Sequence, residues 1–196
     1  MDPYDIIKIP DPVLKAEAAP VARVDDAIRA QMDRMLATMY DAKGIGLAAN
    51  QVGLLNRVLV MDMMGATWQL HDEENGVSRI ARLESEFPEQ VTPKPIAMAN
   101  PEIIWRAEQR TVYEEGCLSI PGHWGDVVRP AEVKVKYLDY KGQPQELTAE
   151  GLFAHCVQHE IDHLNGVLFI DYLSRLKRDM IVRKMEKIKK QQGEAL

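Results

Sequence analysis

The chain has 196 residues, 46% of them apolar and 28% charged, with a formal net charge of −6. That length suits one ordinary domain, and the composition excludes wholesale disorder, collagen-like repeats and low-complexity scaffolds. Two cysteines exclude a disulfide-dense secreted scaffold, and the sequence has no apolar run of the roughly 18 residues a membrane span needs. The opening residues Met1-Asp2-Pro3-Tyr4-Asp5 lack the basic and apolar regions of a secretory signal, so a cytoplasmic protein is expected.

In chain order, Pro3, Pro10, Pro12 and Pro20 keep the first two dozen residues extended or turning. A helix is predicted over 26–43, with Ile28, Met32, Met35, Leu36 and Met39 as its apolar stripe. Asp25 caps it and Gly44 stops it. Residues 58–61 read as a buried strand. The stretch 64–95 is polar, acidic and proline-bearing, and reads as a long loop or insertion. Strands are predicted over 103–113 and 132–140; in the second, Val133, Val135 and Tyr137 alternate with Lys134 and Lys136. Lys141-Gly142-Gln143-Pro144 is a turn. A second helix is predicted over 149–164, with Thr148 as N-cap and Asn165-Gly166 as its stop.

A basic helix follows over 174–190, capped by Ser174 and striped by Leu176, Met180, Ile181, Met185 and Ile188. Eight cations face two anions between 175 and 190, a net of +6, which leaves −12 for the rest of the chain. Such a helix is either a solvated face or a contact for a polyanion such as ribosomal RNA. The whole order predicts a single α+β domain over 1–196, mostly antiparallel, with a C-terminal helix. No Gly-rich phosphate loop is present.

Three of the five histidines fall between 155 and 163. His159-Glu160-Ile161-Asp162-His163 is an H-E-x-x-H motif. On a helix its two imidazoles lie one turn apart on one face and can reach one metal ion, with Glu160 leaning toward a water at an open position. Leu152, Phe153, Cys156, Val157, Ile161 and Leu164 surround the motif and predict a buried helix, central to the fold, where unpaired imidazoles would be costly. The third ligand is open on these residues. The pattern H-E-x-x-H-x-x-G-x-x-H is broken by Phe169, and Glu186 lies in the basic tail. His155 and Cys156 share the helix of the motif and converge poorly, whereas Cys117 can approach from a second segment. Cys-His-His with an open position would be catalytic; two cysteines with two histidines would be structural.

Three segments together resemble the signature motifs of the peptide deformylase family. They are Gly44-Ile45-Gly46-Leu47-Ala48-Ala49-Asn50-Gln51, Glu115-Gly116-Cys117-Leu118-Ser119, and Gln158-His159-Glu160-Ile161-Asp162-His163-Leu164 followed by Gly166. The resemblance implies an enzyme that removes the formyl group from the N-terminal formylmethionine of nascent polypeptides. It implies Cys117, His159 and His163 as metal ligands and Glu160 as general acid/base. Gln51 and the backbone N–H of Leu118 would bind the carbonyl oxygen, and Gly44 and Gly46 would let a substrate backbone lie close. Ile45, Leu152, His155 and Cys156 would line the methionine pocket. Glu115 would pair with Arg129, and Trp124 would touch the substrate backbone. The implied ion is Fe2+, although one thiolate and two imidazoles also suit Zn2+, Ni2+ or Co2+. A monomer is expected, with N-formyl-Met nascent peptides as partners and the ribosome as a candidate partner of the tail helix. The competing readings are an H-E-x-x-H zinc peptidase and a non-catalytic, metal-stabilised ribosome-binding module.

Overall fold

The computed structural model describes residues 2–63, 67–71, 77–83, 94–191 and 193. Helix α1 spans Asp26–Asp41, and the Asp25 carboxylate accepts from the Ile28 N–H at its start. The helix ends at Asp41, two residues before the expected end at 43, and Lys43, not Gly44, takes the left-handed conformation, at φ 56°. Strands β1 (Gly46–Ala48) and β2 (Val58–Met61) follow, then β3 (Thr67–His71) and β4 (Ser78–Leu83). These last two form an antiparallel pair inside the stretch expected as a long loop. The remainder of 64–95, apart from Val77, Lys94 and Pro95, lies outside the described residues.

The strand expected over 103–113 is two strands. β5 (Ile96–Arg106) and β6 (Arg110–Gly116) are separated by Ala107-Glu108-Gln109, and the Ala107 N–H donates to the Glu132 carbonyl where the pairing of β5 ends. β7 (Trp124–Pro130), β8 (Glu132–Leu138) and β9 (Pro144–Glu150) complete the set. Thr148 does not cap a helix. It pairs with Lys134 in the β8–β9 ladder, and helix α2 begins at Gly151, whose φ of 57° turns the chain out of the strand. The ladder wins because each residue added to β9 gains a paired backbone that a cap at Thr148 would forfeit.

Among the described residues the strands make two sheets. One runs β1-β2-β5-β8-β9 and is antiparallel throughout; the other runs β3-β4-β6-β7 and is antiparallel except where β4 lies parallel to β6. Helix α2 (Gly151–Leu164) is buried on nearly every side. Its Ala154, Val157, Ile161 and Leu164 join Met32, Met35 and Met39 of α1 and Leu59, Val60 and Met61 of β2 in the larger core. Each of these large side chains contributes on the order of 1.5–3 kcal/mol by leaving water. A second core gathers Leu14, Ile120, Val127, Phe169 and Ile170 with Ile181 and Met185 of helix α3 (Arg175–Gln191). Ser174 begins α3 as expected, accepting from the Lys177 and Arg178 N–H groups. Only part of the expected stripe is buried: Leu176 and Met180 are 74% and 63% exposed. No helix among the described residues is long and apolar enough to cross a membrane.

Candidate metal centre and active site

Helix α2 ends at Leu164 and is capped by Asn165, with Gly166 left-handed at φ 71° just beyond. A Cβ on Gly166 would fall 2.8 Å from the Lys15 carbonyl carbon, so the close pass of the N-terminal segment beneath α2 also needs glycine here. Within α2, His155, His159 and His163 lie at four-residue spacing along one face. The last two meet Cys117, which follows β6. One donor atom from each of Cys117, His159 and His163 lies within 4.8 Å of the others. Cys117 Sγ is 3.2 Å from His163 Nε2. His155 and Cys156 stay outside this group, and neither Cys117 nor Cys156 is in a disulfide.

The surroundings fit a cation. Ring nitrogen Nδ1 of His159 donates to Glu115 Oε2 at 2.9 Å, which turns Nε2 toward the thiol. Burial would lower the His159 pKa, but the facing Cys117 and Glu115 raise it well above the ordinary range, so these surroundings favour positive charge at the point where a bound cation would supply it. Burial, followed by the charges on His159 and Arg129, pushes His163 well below its ordinary value and keeps it neutral, as a ligand must be. Buried His163 Nδ1 has no hydrogen-bond partner among the described residues. One soft sulfur and two imidazoles are a donor set for a borderline divalent transition metal.

Glu115 is the hub behind His159. Its Oε1 accepts from Arg129 Nε at 2.6 Å and from His155 Nδ1 at 3.2 Å, while Oε2 takes Arg129 Nη2 at 2.9 Å besides His159. Burial alone would raise this carboxyl; hydrogen bonds from Arg129, His155 and His159 hold it well below the usual carboxylate range. Arg129 is itself braced by Asp162 at 2.7 Å, and Asp162 also accepts from the Tyr172 hydroxyl.

The front of the site is a cavity of about 450 Å³. Every expected site residue except His163 lines it: Gly44, Ile45, Gly46, Gln51, Glu115, Cys117, Leu118, Trp124, Leu152, His155, Cys156, His159 and Glu160. His163 lies behind Cys117. The Glu160 carboxylate is buried against Gly46, where a Cβ would come 2.7 Å from its Cδ, and its Oε2 has no partner among the described residues. Burial raises its pKa to about 7, with the Glu115 charge adding to the effect. Gln51 is fixed at both ends. Its carbonyl accepts from the Ala48 N–H at 2.9 Å, so its amide nitrogen faces Cys117 Sγ at 3.4 Å and Ser119 Oγ at 3.2 Å. Trp124 is exposed at the rim, its ring over Gly116. Glu115, expected among the substrate contacts, faces the cavity with both oxygens already bonded within the protein.

A separate cavity of about 200 Å³ is lined by Arg129, Asp162, Tyr172, Arg106 and Arg110 among others. Sequence reasoning passed over Asp162, Tyr172, Ser119 and Thr111. Asp162 occupies a variable slot of H-E-x-x-H and Ser119 ends the second motif. Thr111 signals itself only through the alternation Thr111-Tyr113-Glu115 along one face of β6.

The family model described as "Polypeptide deformylase" matches residues 3–179. The peptide deformylase of Mesorhizobium japonicum is 52% identical over 94% of this chain and 92% of its own length. That of Phenylobacterium zucineum is 48% identical over 93% and 95%. The crystal structure of peptide deformylase from Ehrlichia chaffeensis superimposes with a TM-score of 0.81 at 36% identity, covering 97% of this chain and 99% of that one. The same Ehrlichia protein solved with actinonin gives 0.79 at 37% identity, over 95% and 98%. By sequence over nearly its whole length and by fold, the chain belongs to the polypeptide deformylase family.

Proposed function

We infer that this chain is a metal-dependent amide hydrolase that removes the N-terminal formyl group from formylmethionyl nascent polypeptides and releases formate. The observation that carries the reading is the convergence of Cys117, His159 and His163 at a cavity that also holds the Glu160 carboxylate and the Gln51 amide, in a chain of this family. A zinc endopeptidase of the three-histidine kind is not favoured: Phe169 is buried with its ring stacked 6.4 Å from His159, where that pattern needs a ligand. A closed four-ligand site is not favoured either, since Cys156 stands outside the cluster.

A formamide resists water, so the reaction needs an activated nucleophile and a stabilised oxyanion. A divalent ion held by Cys117, His159 and His163 would polarise the formyl carbonyl and acidify water. Glu160 takes the proton of the attacking water at its unpaired oxygen and passes it to the amine nitrogen as the C–N bond breaks. A carboxyl poised at about 7 can do both near neutral pH. Gln51 Nε2, prevented from rotating by the Ala48 N–H, and the Leu118 N–H donate to the developing oxyanion. Ile45, Leu152 and Cys156 give the methionine side chain an apolar wall, while Gly44 and Trp124 border the peptide beyond it.

We assign Fe2+ as the working ion on the family resemblance, with Zn2+, Ni2+ and Co2+ as ions the same donors accept. Enzyme loaded with iron without oxygen should deformylate and lose activity in air; equal activity with zinc and stability in air would refute iron. The cytoplasm, a monomeric state and a ribosome contact through α3 complete the proposal. The deciding experiment is formate release from a formyl-Met peptide by wild type beside Glu160→Ala. The variant should keep fold and metal and lose about 10²–10⁴-fold in turnover. Internal cleavage of unblocked protein without formate would instead indicate a peptidase.

A further inference from the structure

His155 stands one helical turn before His159 and is 1% exposed, a depth at which an imidazole is costly unless bonded. Both its nitrogens are engaged. Nδ1 lies 3.2 Å from Glu115 Oε1, and Nε2 lies 3.0 Å from Thr111 Oγ1. Glu115 is ionised and can only accept, so the Nδ1 proton is on the ring and points at it. In the neutral ring Nε2 is then the acceptor, and the Thr111 hydroxyl donates to it. Tyr113 holds the ring edge-on, with centroids 5.8 Å apart. Thr111, Tyr113 and Glu115 are alternate residues of β6, so one strand face carries the hydroxyl, the aromatic edge and the carboxylate that His155 needs.

The ring does not reach the thiol or the other two imidazoles. Its partner Glu115 does reach His159, through the other carboxylate oxygen. Arg129 bridges both oxygens and fixes the carboxylate plane. A second donor on Oε1, from the helix that bears His159, ties that plane to the helix itself. We propose that His155 is a positioning residue for the metal centre: its Nδ1–H, locked by Thr111, holds the Glu115 carboxylate at the orientation that aims His159 Nε2 at the ion. The proposal rests on the deformylase reading for the role of the ion, but not for the geometry of the chain Thr111–His155–Glu115–His159. It gives His155 a task distinct from walling the methionine pocket.

The test uses the full-length protein loaded with Co2+, whose visible absorption reports ligand geometry. Three variants are compared: His155→Leu removes the donor at similar volume, His155→Asn keeps an amide N–H close to the Nδ1 position, and Thr111→Val keeps the ring but removes its lock. Three quantities are read: the rate of cobalt loss to excess chelator, the cobalt spectrum, and kcat and KM for a formyl-Met peptide. His155→Leu should lose cobalt about 10-fold faster, at the low end for a partner behind a ligand, with a shifted spectrum. Its kcat should fall by a similar factor while KM stays within twofold. His155→Asn should recover most of both effects, and Thr111→Val should fall between wild type and His155→Leu. Unchanged cobalt loss and spectrum with a raised KM would overturn the proposal and leave His155 as pocket wall. If His155→Leu does not fold, the other two decide: cobalt loss equal to wild type in Thr111→Val overturns the positioning role. Absence of formate release by wild type would sink the deformylase reading, whereas the cobalt measurements would still judge His155.

Discussion

Gly46 makes a quantitative test of the Glu160 assignment. Its backbone does not need glycine, since its φ is not positive and it pairs with Met61 in β1. Its missing side chain is what matters. A Cβ there would stand 2.7 Å from Glu160 Cδ and 2.8 Å from Cγ, against 3.4 Å for ordinary contact. The carboxylate oxygen Oε1 would stand closer still, so the carboxylate must retreat by at least about 0.7 Å, into a site that already packs Glu160 to 4% exposure. Misplacing a catalytic group by about 1 Å costs up to roughly 100-fold, so Gly46→Ala should lower kcat/KM about 30–100-fold, or some 2–3 kcal/mol in the barrier. Stability should fall only by the modest cost of overpacking, about 1–3 kcal/mol. Metal content should be unchanged, because neither Cys117, His159 nor His163 is among the atoms the new methyl would meet first. Formate release measured beside urea unfolding and metal analysis separates these effects. Activity within threefold of wild type, with the fold intact, would show that Glu160 either moves freely or is not the proton carrier.

Other substitutions probe the supporting structure. Arg129→Met leaves the buried Glu115 carboxylate without its bidentate partner and should cost about 3–5 kcal/mol in urea unfolding, with Glu115→Gln in the same chain recovering part of it; a loss under 1 kcal/mol would refute the view of a mutually dependent pair. Ser119→Ala removes one bond to the Gln51 amide and should lower kcat by roughly fivefold at constant KM, about 1 kcal/mol, while Gln51→Leu should cost about 10²–10³-fold; equal rates for both variants and wild type would remove Gln51 from the oxyanion site. For the tail, truncation at Ser174 would strip Ile181 and Met185 from the second core, so neutralising the exposed Arg183, Lys184 and Lys187 is the cleaner test. Ribosome cosedimentation should weaken and its salt dependence flatten, by up to about 0.7–0.9 for each phosphate the tail no longer neutralises, with peptide turnover unaffected; unchanged cosedimentation would refute the anchor.

The parts of the fold legible in the sequence are those with strong local signals. Asp25 caps α1, the methionines at 32, 35 and 39 face the core, and H-E-x-x-H sits on a buried helix, all as periodicity and capping predict. Departures occur where tertiary pairing overrides local preference. Ala107-Glu108-Gln109 holds no Gly or Pro, so nothing local marks the break between β5 and β6. Thr148 is a good cap by type, but the β8–β9 ladder claims it. Leu176 and Met180 keep helical spacing yet stand in solvent, because the second core receives α3 only from Ile181 onward. In the site, spacing alone brings His159, Glu160 and His163 together, whereas Cys117 requires the motif resemblance, since its approach depends on where β6 ends. The network behind them is invisible as a set because its members, Thr111, Glu115, Arg129, His155, Asp162 and Tyr172, come from three elements and a turn that meet only in the folded chain.

The Glu115–Arg129 pair also sets where small molecules can travel. Glu115 lines the front cavity and Arg129 lines the separate one beside Tyr172, so two hollows of about 450 and 200 Å³ share this ion pair as a partition. Because each Glu115 oxygen already takes two donors, the partition offers water no free acceptor on which to cross. The ion pair thereby closes the reaction chamber on the side of the smaller hollow. A small residue at position 129 would remove that wall and join the two hollows, enlarging the space open to a product as compact as formate and to solvent.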